Sequence, residues 1–472
     1  MVSKKLSACT SILIGKGASL DGSIMIGRNE DAKPAWPKRL VVHQRGEVGG
    51  RFRSKETGLE LQLPQTSFKY TATPEWTDRY GLFEEGGINE YNVAMSATES
   101  AYCNERVLAC DPLVEKGSLN EEAMVTVVLP FVKSAREGVQ RLGQLIAEHG
   151  TGETNGVLFA DDQEAWYFES GAGHYWVAQR IPDDCYAVVG NQLAIQEVDF
   201  NDPENFLSHP QLQAFVEDNQ LNPNPTGFNF RQIFGTQTRA DAIYSTPRVW
   251  DGHQYFSPKA AVLETPESQD LPFLMKPEGK LSILDAQDYL ASHYQGTAFD
   301  PVGQGAATDR HRYRPISLAK TQESHVLQTA RPNGNAIHWL SMGVAAESSF
   351  VPFFAKASDV PAPYKRGKLP VQLNAAYWIF KHAGVLVDSH YHDFFPLLAD
   401  LQKELRIKAL AMVKQADQTS AALKGDQQAA YLTRQSMNFA TDVLTAYKEL
   451  SLTLIEKMTD YSPLNFKTDE NL

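Results

Sequence analysis

Short apolar runs separated by polar turns open the chain. Ser11 to Ile14 and Ile24 to Ile26 are rich in β-branched residues, and Asp21-Gly22 supplies turn chemistry, so residues 10–28 read as a β-hairpin. Leu40 to His43 and Leu59 to Leu63 are further strand-like pieces, and Asn92 to Ala97 reads as a buried strand after a tight turn over Gly86-Gly87-Ile88-Asn89-Glu90. The period then changes. Ser118-Leu119-Asn120-Glu121 and Ser134-Ala135-Arg136-Glu137 have capping-box spacing and predict two helices, the second stopping at Gly150 after His149. Strand patterns return over 156–160, 165–169, 175–179 and 186–189, divided by polar or glycine-rich turns, and predict one antiparallel meander.

Residues 200–320 are rich in Pro, Asn and Asp, with short helices expected at 210–218, 229–234 and 282–293. His325 to Thr329 and Ala336 to Ser341 form a second hairpin pattern, turned by Pro332-Asn333-Gly334. From about 371 the chain is mostly helical, with apolar residues at helical spacing over Leu401 to Gln415 and Gln427 to Met458. Strands, two helices, strands, a mixed stretch, strands and helices fit an α+β sandwich, in which helical layers cover stacked antiparallel sheets.

Composition narrows the function classes. The 472 residues carry a formal net charge of −13, which argues against nucleic acid or an anionic membrane as the main partner. Cys9, Cys103, Cys110 and Cys185 form no CxxC pair, and four cysteines in a chain this long point to a reduced, cytoplasmic setting. No apolar run approaches the ~20 residues of a membrane helix. Leu6-Ser7-Ala8-Cys9 looks like a lipoprotein box, but Lys4 and Lys5 leave no space for an apolar segment before it. His390-Tyr391-His392-Asp393 lacks a third cluster of metal ligands, and Gly15-Lys16-Gly17 lacks phosphate-loop spacing, so neither a metal nor a cofactor is expected.

Cys9 is the chemical candidate. It starts a strand between small neighbours, and Arg28 and Asp31 end the strand that pairs with it. A guanidinium at that end favours thiolate and predicts a lowered thiol pKa. If Cys9 becomes the first residue, its α-amine (pKa ~7.7–8) supplies a base without a histidine.

Cys9-Thr10-Ser11 followed by Gly27-Arg28-Asn29-Glu30-Asp31 is similar to the N-terminal nucleophile hydrolases of the bacterial dipeptidase A family, distant relatives of penicillin V acylases and bile-salt hydrolases. Gly87 to Glu90 leading into Val93 to Glu99, Val188 to Gln192, His293 to Thr297 with Asp300, Tyr313 to Ser317, and Trp339 through Phe354 extend the resemblance in order along residues 9–355. It implies a four-layer αββα fold, with residues 1–8 as a propeptide, 9–370 as the catalytic domain and 371–472 as a helical region packing on or extending it. It also implies that Cys9 is the nucleophile, that Arg28 and Asp31 hold and tune the thiol and the new amine, and that Asn191 donates to the oxyanion. A late arginine of the family matches Arg248, with Arg314 as the alternative. Thr98-Glu99 stands where the acylases carry an asparagine, which leaves the second oxyanion donor to a backbone N–H. The implied activity is a cysteine-type dipeptidase acting on small peptides, with no metal or cofactor and with a homo-oligomer possible. An acylase of N-acyl amides, or a catalytically inactive assembly protein of the same fold, are the alternatives.

Overall fold

A computed structural model describes residues 9–466; the propeptide expected at 1–8 lies outside the described residues. The predicted first hairpin forms. β1 (Thr10–Ile14) and β2 (Ile24–Asp31) pair antiparallel, with Ser11 opposite Arg28 and Ile12 opposite Gly27. They sit inside a six-stranded antiparallel sheet ordered Tyr186–Val189, β1, β2, Thr321–Thr329, Ile337–Met342, Val351–Phe354. A second six-stranded antiparallel sheet runs Phe206–Ser208, Tyr175–Ile181, Ala165–Gly171, Thr154–Ala160, Ala94–Ala101, Gly86–Ile88.

Two strand expectations change. The meander holds for three strands only, because Tyr186–Val189 crosses to the first sheet and places Val189 opposite Ser11. The turn before it presses on the end of β1, where a Cβ on Gly15 would lie 2.4 Å from the Pro182 carbonyl oxygen, and this contact leads the chain into the other sheet. The expected turn at Gly86-Gly87-Ile88 is instead an edge strand, Gly86 pairing with Ser96. Its glycines answer a close approach of backbone rather than a turn: a Cβ on Gly87 would fall 1.7 Å from the Thr71 carbonyl oxygen. The chain reverses afterwards, at Asn92, in the left-handed region with φ 61°.

Apolar faces explain the layering. Leu13, Ile26, Val189 and Leu327 of the first sheet meet Leu158, Tyr167 and Val177 of the second. The outer face of the second sheet, with Phe159, Trp166 and Phe168, is covered by Met124, Val127 and Leu142 from helices Glu121–Val128 and Ala135–His149. Ser134 caps the latter, accepting from the Glu137 N–H, and Gly150 ends it. Ser118 does not cap the former. Asn120 is its N-cap but makes no side-chain cap hydrogen bond, since its amide oxygen accepts from the Gly152 N–H; the partly buried Glu121 N–H donates to Glu153 at 2.9 Å. The outer face of the first sheet (Ile12, Val326, Leu340, Phe353) is covered by Tyr289 and by Phe380, Leu398 and Tyr447 of the long helices Ala376–Ser389, Tyr391–Ser420 and Gly425–Met458. The result is helix, sheet, sheet, helix: the expected αββα sandwich.

The 200–320 stretch is more helical than its composition suggested. Besides Leu212–Asp218, Phe230–Phe234 and Ile283–Leu290, it folds Arg239–Tyr244 and Thr246–Phe256. Thr238 and Asp241 cap the first of these reciprocally. The second carries Arg248 in its opening turn, just after Pro247.

Candidate active site

β-strand alternation sorts the residues around Cys9 into two sets. Cys9, Arg28 and Glu30 meet on the side facing the second sheet. Thr10, Asn29 and Asp31 turn the other way.

On the first side, the Cys9 side chain is buried and its Sγ accepts from Arg28 Nη1 at 3.1 Å and donates to Glu30 Oε2 at 3.4 Å. Arg28 has no solvent exposure. Its Nη1 also pairs with Glu30, its Nη2 with Glu85 Oε2 at 2.8 Å, and Glu121 Oε1 lies 3.9 Å away. Its Nε donates to Ser96 Oγ at 2.8 Å. Ser96 in turn meets His325 Nε2 at 2.9 Å, and His325 Nδ1 meets Glu323 at 2.8 Å. Burial, reinforced by Arg28, pushes His325 well below its ordinary pKa and keeps it neutral. Hydrogen bonding then assigns its protons: Ser96 donates to Nε2, and Nδ1–H donates to Glu323.

This network corrects the expectation of a lowered thiol pKa. Burial raises the Cys9 thiol well above its ordinary range, and Glu30 raises it further. Arg28 lowers it, but that guanidinium is shared among Glu30, Glu85 and Glu121. An arginine beside a thiol favours thiolate only with the charge left after its other partners are served.

The other side is cationic. Asp31 accepts from Arg314 and from the Thr321 hydroxyl, so it faces Arg314 rather than the thiol. Asn29 closes the strand by donating to the carbonyls of Leu290 (2.8 Å) and Ile316 (3.1 Å). Arg248 reaches in from its helix. Nη1 donates to the Cys9 carbonyl oxygen at 2.6 Å and to Thr10 Oγ1 at 2.7 Å, Nη2 to Asn191 Oδ1 at 2.5 Å, and Nε to the Tyr244 carbonyl oxygen at 2.9 Å. Because a guanidinium only donates, its contact identifies the Asn191 oxygen and directs the amide's NH₂ end away from it. The Asn191 N–H donates to Ser245 Oγ at 3.0 Å. Gly190 allows this approach: a Cβ there would lie 2.8 Å from the Ser245 carbonyl oxygen. Burial pushes Arg248 down to about 9, with Arg314 adding to the effect.

Of the residues named from sequence, Arg28 meets the thiol, Arg248 joins the Cys9 carbonyl to Asn191, and Asp31 lies one strand position away on Arg314. Arg248 and Arg314 both reach Thr10 Oγ1, Arg314 Nη1 at 3.4 Å. Thr98 is buried in the Ala94–Ala101 strand, its hydroxyl on the Glu99 carbonyl oxygen. Glu30, Ser96, Glu85 and Glu121 were missed. Period-two alternation with Arg28 was enough to find Glu30; Glu85 and Glu121 carry no local signal. Carboxylate oxygens of Glu30, Glu85 and Glu121 lie within 4.8 Å of one another, the reach of a metal cluster, but the positive charge they face is Arg28, and Lys38 on Glu85.

Comparison with known proteins gives the family. A probable dipeptidase of Latilactobacillus sakei is 44% identical over 99% of this chain and 99% of its own length. A probable dipeptidase B of Lactococcus lactis subsp. lactis is 36% identical over 95% of each. A solved penicillin V acylase of Agrobacterium tumefaciens is 14% identical, covering 73% of this chain and 86% of its own with a TM-score of 0.34. The model of peptidase family C69 matches residues 8–404, which takes in β1, β2, Asn191, Arg248 and Arg314, and the chain belongs to that family.

Proposed function

We propose that the chain is a cysteine-type dipeptidase whose nucleophile is Cys9, freed when residues 1–8 leave. The observation that carries this reading is Arg248, which ties the backbone carbonyl of Cys9 to the side chain of Asn191. On this reading one guanidinium holds both the nucleophile's residue and the oxyanion donor. The names of the relatives support dipeptides as substrates, and the family supports peptide hydrolysis.

The chemistry follows from the groups present. With residues 1–8 attached, Cys9 has an amide nitrogen and no base, and its thiol is held protonated by burial and Glu30. Cleavage of the Ala8–Cys9 bond gives it an α-amine with an ordinary pKa of ~7.7–8. That amine takes the thiol proton as sulfur attacks the scissile carbonyl, and Asn191 donates to the oxyanion. The protonated amine returns its proton to the leaving amine, and water resolves the thioester. Asp31, one strand position away, holds Arg314 beside Thr10 and supplies the negative charge facing the new ammonium. The C-terminal helices from 371 onward serve as the outer layer of the catalytic unit, since Phe380 and Tyr447 share a core with Phe353. The free state of Cys9, Cys103, Cys110 and Cys185 supports a reducing, cytoplasmic setting. Among the described residues no helix is long and apolar enough to cross a membrane.

The test joins N-terminal mass with activity. The mature chain is expected to start at Cys9 and to release free amino acids from dipeptides, while Cys9→Ala keeps its leading residues and loses the activity. A chain that hydrolyses dipeptides with Cys9 replaced overturns the reading.

A further inference from the structure

We infer that Lys320 and the Tyr244 hydroxyl, backed by Arg248 and Arg314, receive the free C-terminal carboxylate of the substrate. This rests on the peptidase reading and specifies which end of the peptide the site measures.

Three cations converge on one half-buried tyrosine. Lys320 Nζ donates to Tyr244 Oη at 3.1 Å. The Arg314 and Arg248 guanidinium carbons lie 5.1 and 5.4 Å from the ring centroid, and Lys320 Nζ 5.7 Å. Asp31 is the only carboxylate in ion-pair contact with any of the three among the described residues, and it serves Arg314. Arg248 is fully buried, with hydrogen-bond acceptors but no ion-pair partner among the described residues. Burying a charge without a counter-charge is costly, and an arriving carboxylate provides one. Arg248 and Arg314 are buried, whereas Tyr244 and Lys320 are half-buried, so the latter two offer the contact. The cations hold the Tyr244 phenol below its ordinary pKa, which makes its O–H a better donor once Lys320 occupies an oxygen lone pair.

Arg248 joins the cluster to the residue that bears the nucleophile, because its Nη1 donates to the Cys9 carbonyl oxygen at 2.6 Å. Arg248 and Arg314 both reach Thr10 Oγ1, on the residue that follows Cys9. One residue spans roughly 3.3–3.6 Å. In a dipeptide the terminal carboxylate is one residue beyond the scissile carbonyl, which is the position inferred for these cations. In a longer peptide the same place holds a neutral peptide group, which gains much less there. The cluster therefore reads chain length by charge.

The experiment compares kcat/KM for a dipeptide and for the same dipeptide with a C-terminal amide. The processed wild-type protein is expected to prefer the free acid by about tenfold to a hundredfold, the worth of one or two charge-assisted contacts. Lys320→Met should collapse that ratio to within a few-fold, mainly by raising KM for the acid, and Lys320→Arg should restore it. A wild-type ratio near one overturns the inference, and needs no variant to fold. A folded Lys320→Met chain with the wild-type ratio overturns it too. An N-acyl amino acid and its amide, run in parallel, separate the two readings. Cleavage of the acyl acid over its amide with no dipeptide cleavage leaves the carboxylate site standing and removes the dipeptidase. Equal cleavage of dipeptide acid and amide does the reverse.

Discussion

Arg28 Nη1 lies 3.1 Å from Cys9 Sγ, yet the thiol it touches is held protonated. The same guanidinium pairs with Glu30 and Glu85 and has Glu121 at 3.9 Å, so its charge is divided before the thiol is reached. Glu30 then becomes the lever on reactivity. Its carboxylate opposes thiolate formation, so replacing it by an uncharged amide lowers the thiol pKa.

Alkylation of the uncleaved form reads this directly. In a chain that retains residues 1–8, Cys9 should react slowly with iodoacetamide at pH 8, and faster as pH rises beyond the ordinary thiol range. Glu30→Gln should react faster at every pH below that range, because more of the thiol is ionised at a given pH. Mass spectrometry of the Cys9 peptide against time checks it. A slower Glu30→Gln chain contradicts the assignment of Glu30 as the group that holds the thiol protonated.

The same buried network makes Arg28 a structural residue as well. Arg28→Met leaves Glu30, Glu85 and Glu121 facing one another with only Lys38 in contact. Removing one partner of a buried ion pair typically costs about 3–5 kcal/mol, because the remaining charge is left uncompensated. Urea denaturation should show a loss of that order. Adding Glu30→Gln to Arg28→Met should recover part of it, since Glu30 has no other ion-pair partner among the described residues, whereas Glu85 keeps Lys38. Equal stability of Arg28→Met and wild type would mean that the carboxylates are already neutral.

Much of this was legible before any coordinates. Alternation of apolar residues placed both hairpins, and helical spacing placed the C-terminal layer. The first hairpin alone brings Cys9 and Arg28 to one end, with Ser11 opposite Arg28, although the connection over residues 15–23 is too long for the turn at Asp21-Gly22 to set that register. The sheet that each strand joins was not legible: Tyr186–Val189 has the pattern of its three predecessors and leaves them through a contact made by Pro182 with Gly15. Arg248 was named from the resemblance alone, since helix propensity gives no reason for it. A cation in the first turn of a helix opposes the macrodipole, by about 0.3–1 kcal/mol, and only its acceptors on Cys9, Thr10 and Asn191 explain its position. The thiol pKa was misjudged for a related reason. Arg28 is a near neighbour in sequence register, while Glu85 and Glu121 arrive from elsewhere in the chain.

Arg248 and Asn191 act as a unit, and their substitutions should not multiply. Asn191→Ala removes the proposed oxyanion donor and should lower kcat on the order of 10²–10³. Arg248→Met leaves Asn191 present but without the contact that fixes its oxygen and its orientation, and should approach the same loss. If each acted independently the double variant would lose the product of the two factors. The shared contact at 2.5 Å predicts a double variant little worse than the poorer single one. Single-turnover rates on the processed chain decide between the two outcomes.

The C-terminal helices should contribute stability rather than chemistry. Phe380 packs edge-on to Tyr447 with centroids 4.5 Å apart, and both rings are buried against the outer face of the first sheet. Phe380→Ala removes a buried ring and leaves a cavity, at a typical cost of about 3–5 kcal/mol. Val385 lies on the same helix but is 55% exposed, and Val385→Ala should change stability by no more than about 0.5 kcal/mol. Since neither side chain touches Cys9, Arg28, Arg248 or Asn191, kcat per folded molecule should stay at the wild-type value in both. Urea denaturation paired with active-site titration of Cys9 separates the two quantities. A Phe380→Ala chain that is stable but has lost kcat would place the helical layer inside the catalytic cycle and end its assignment as packing alone.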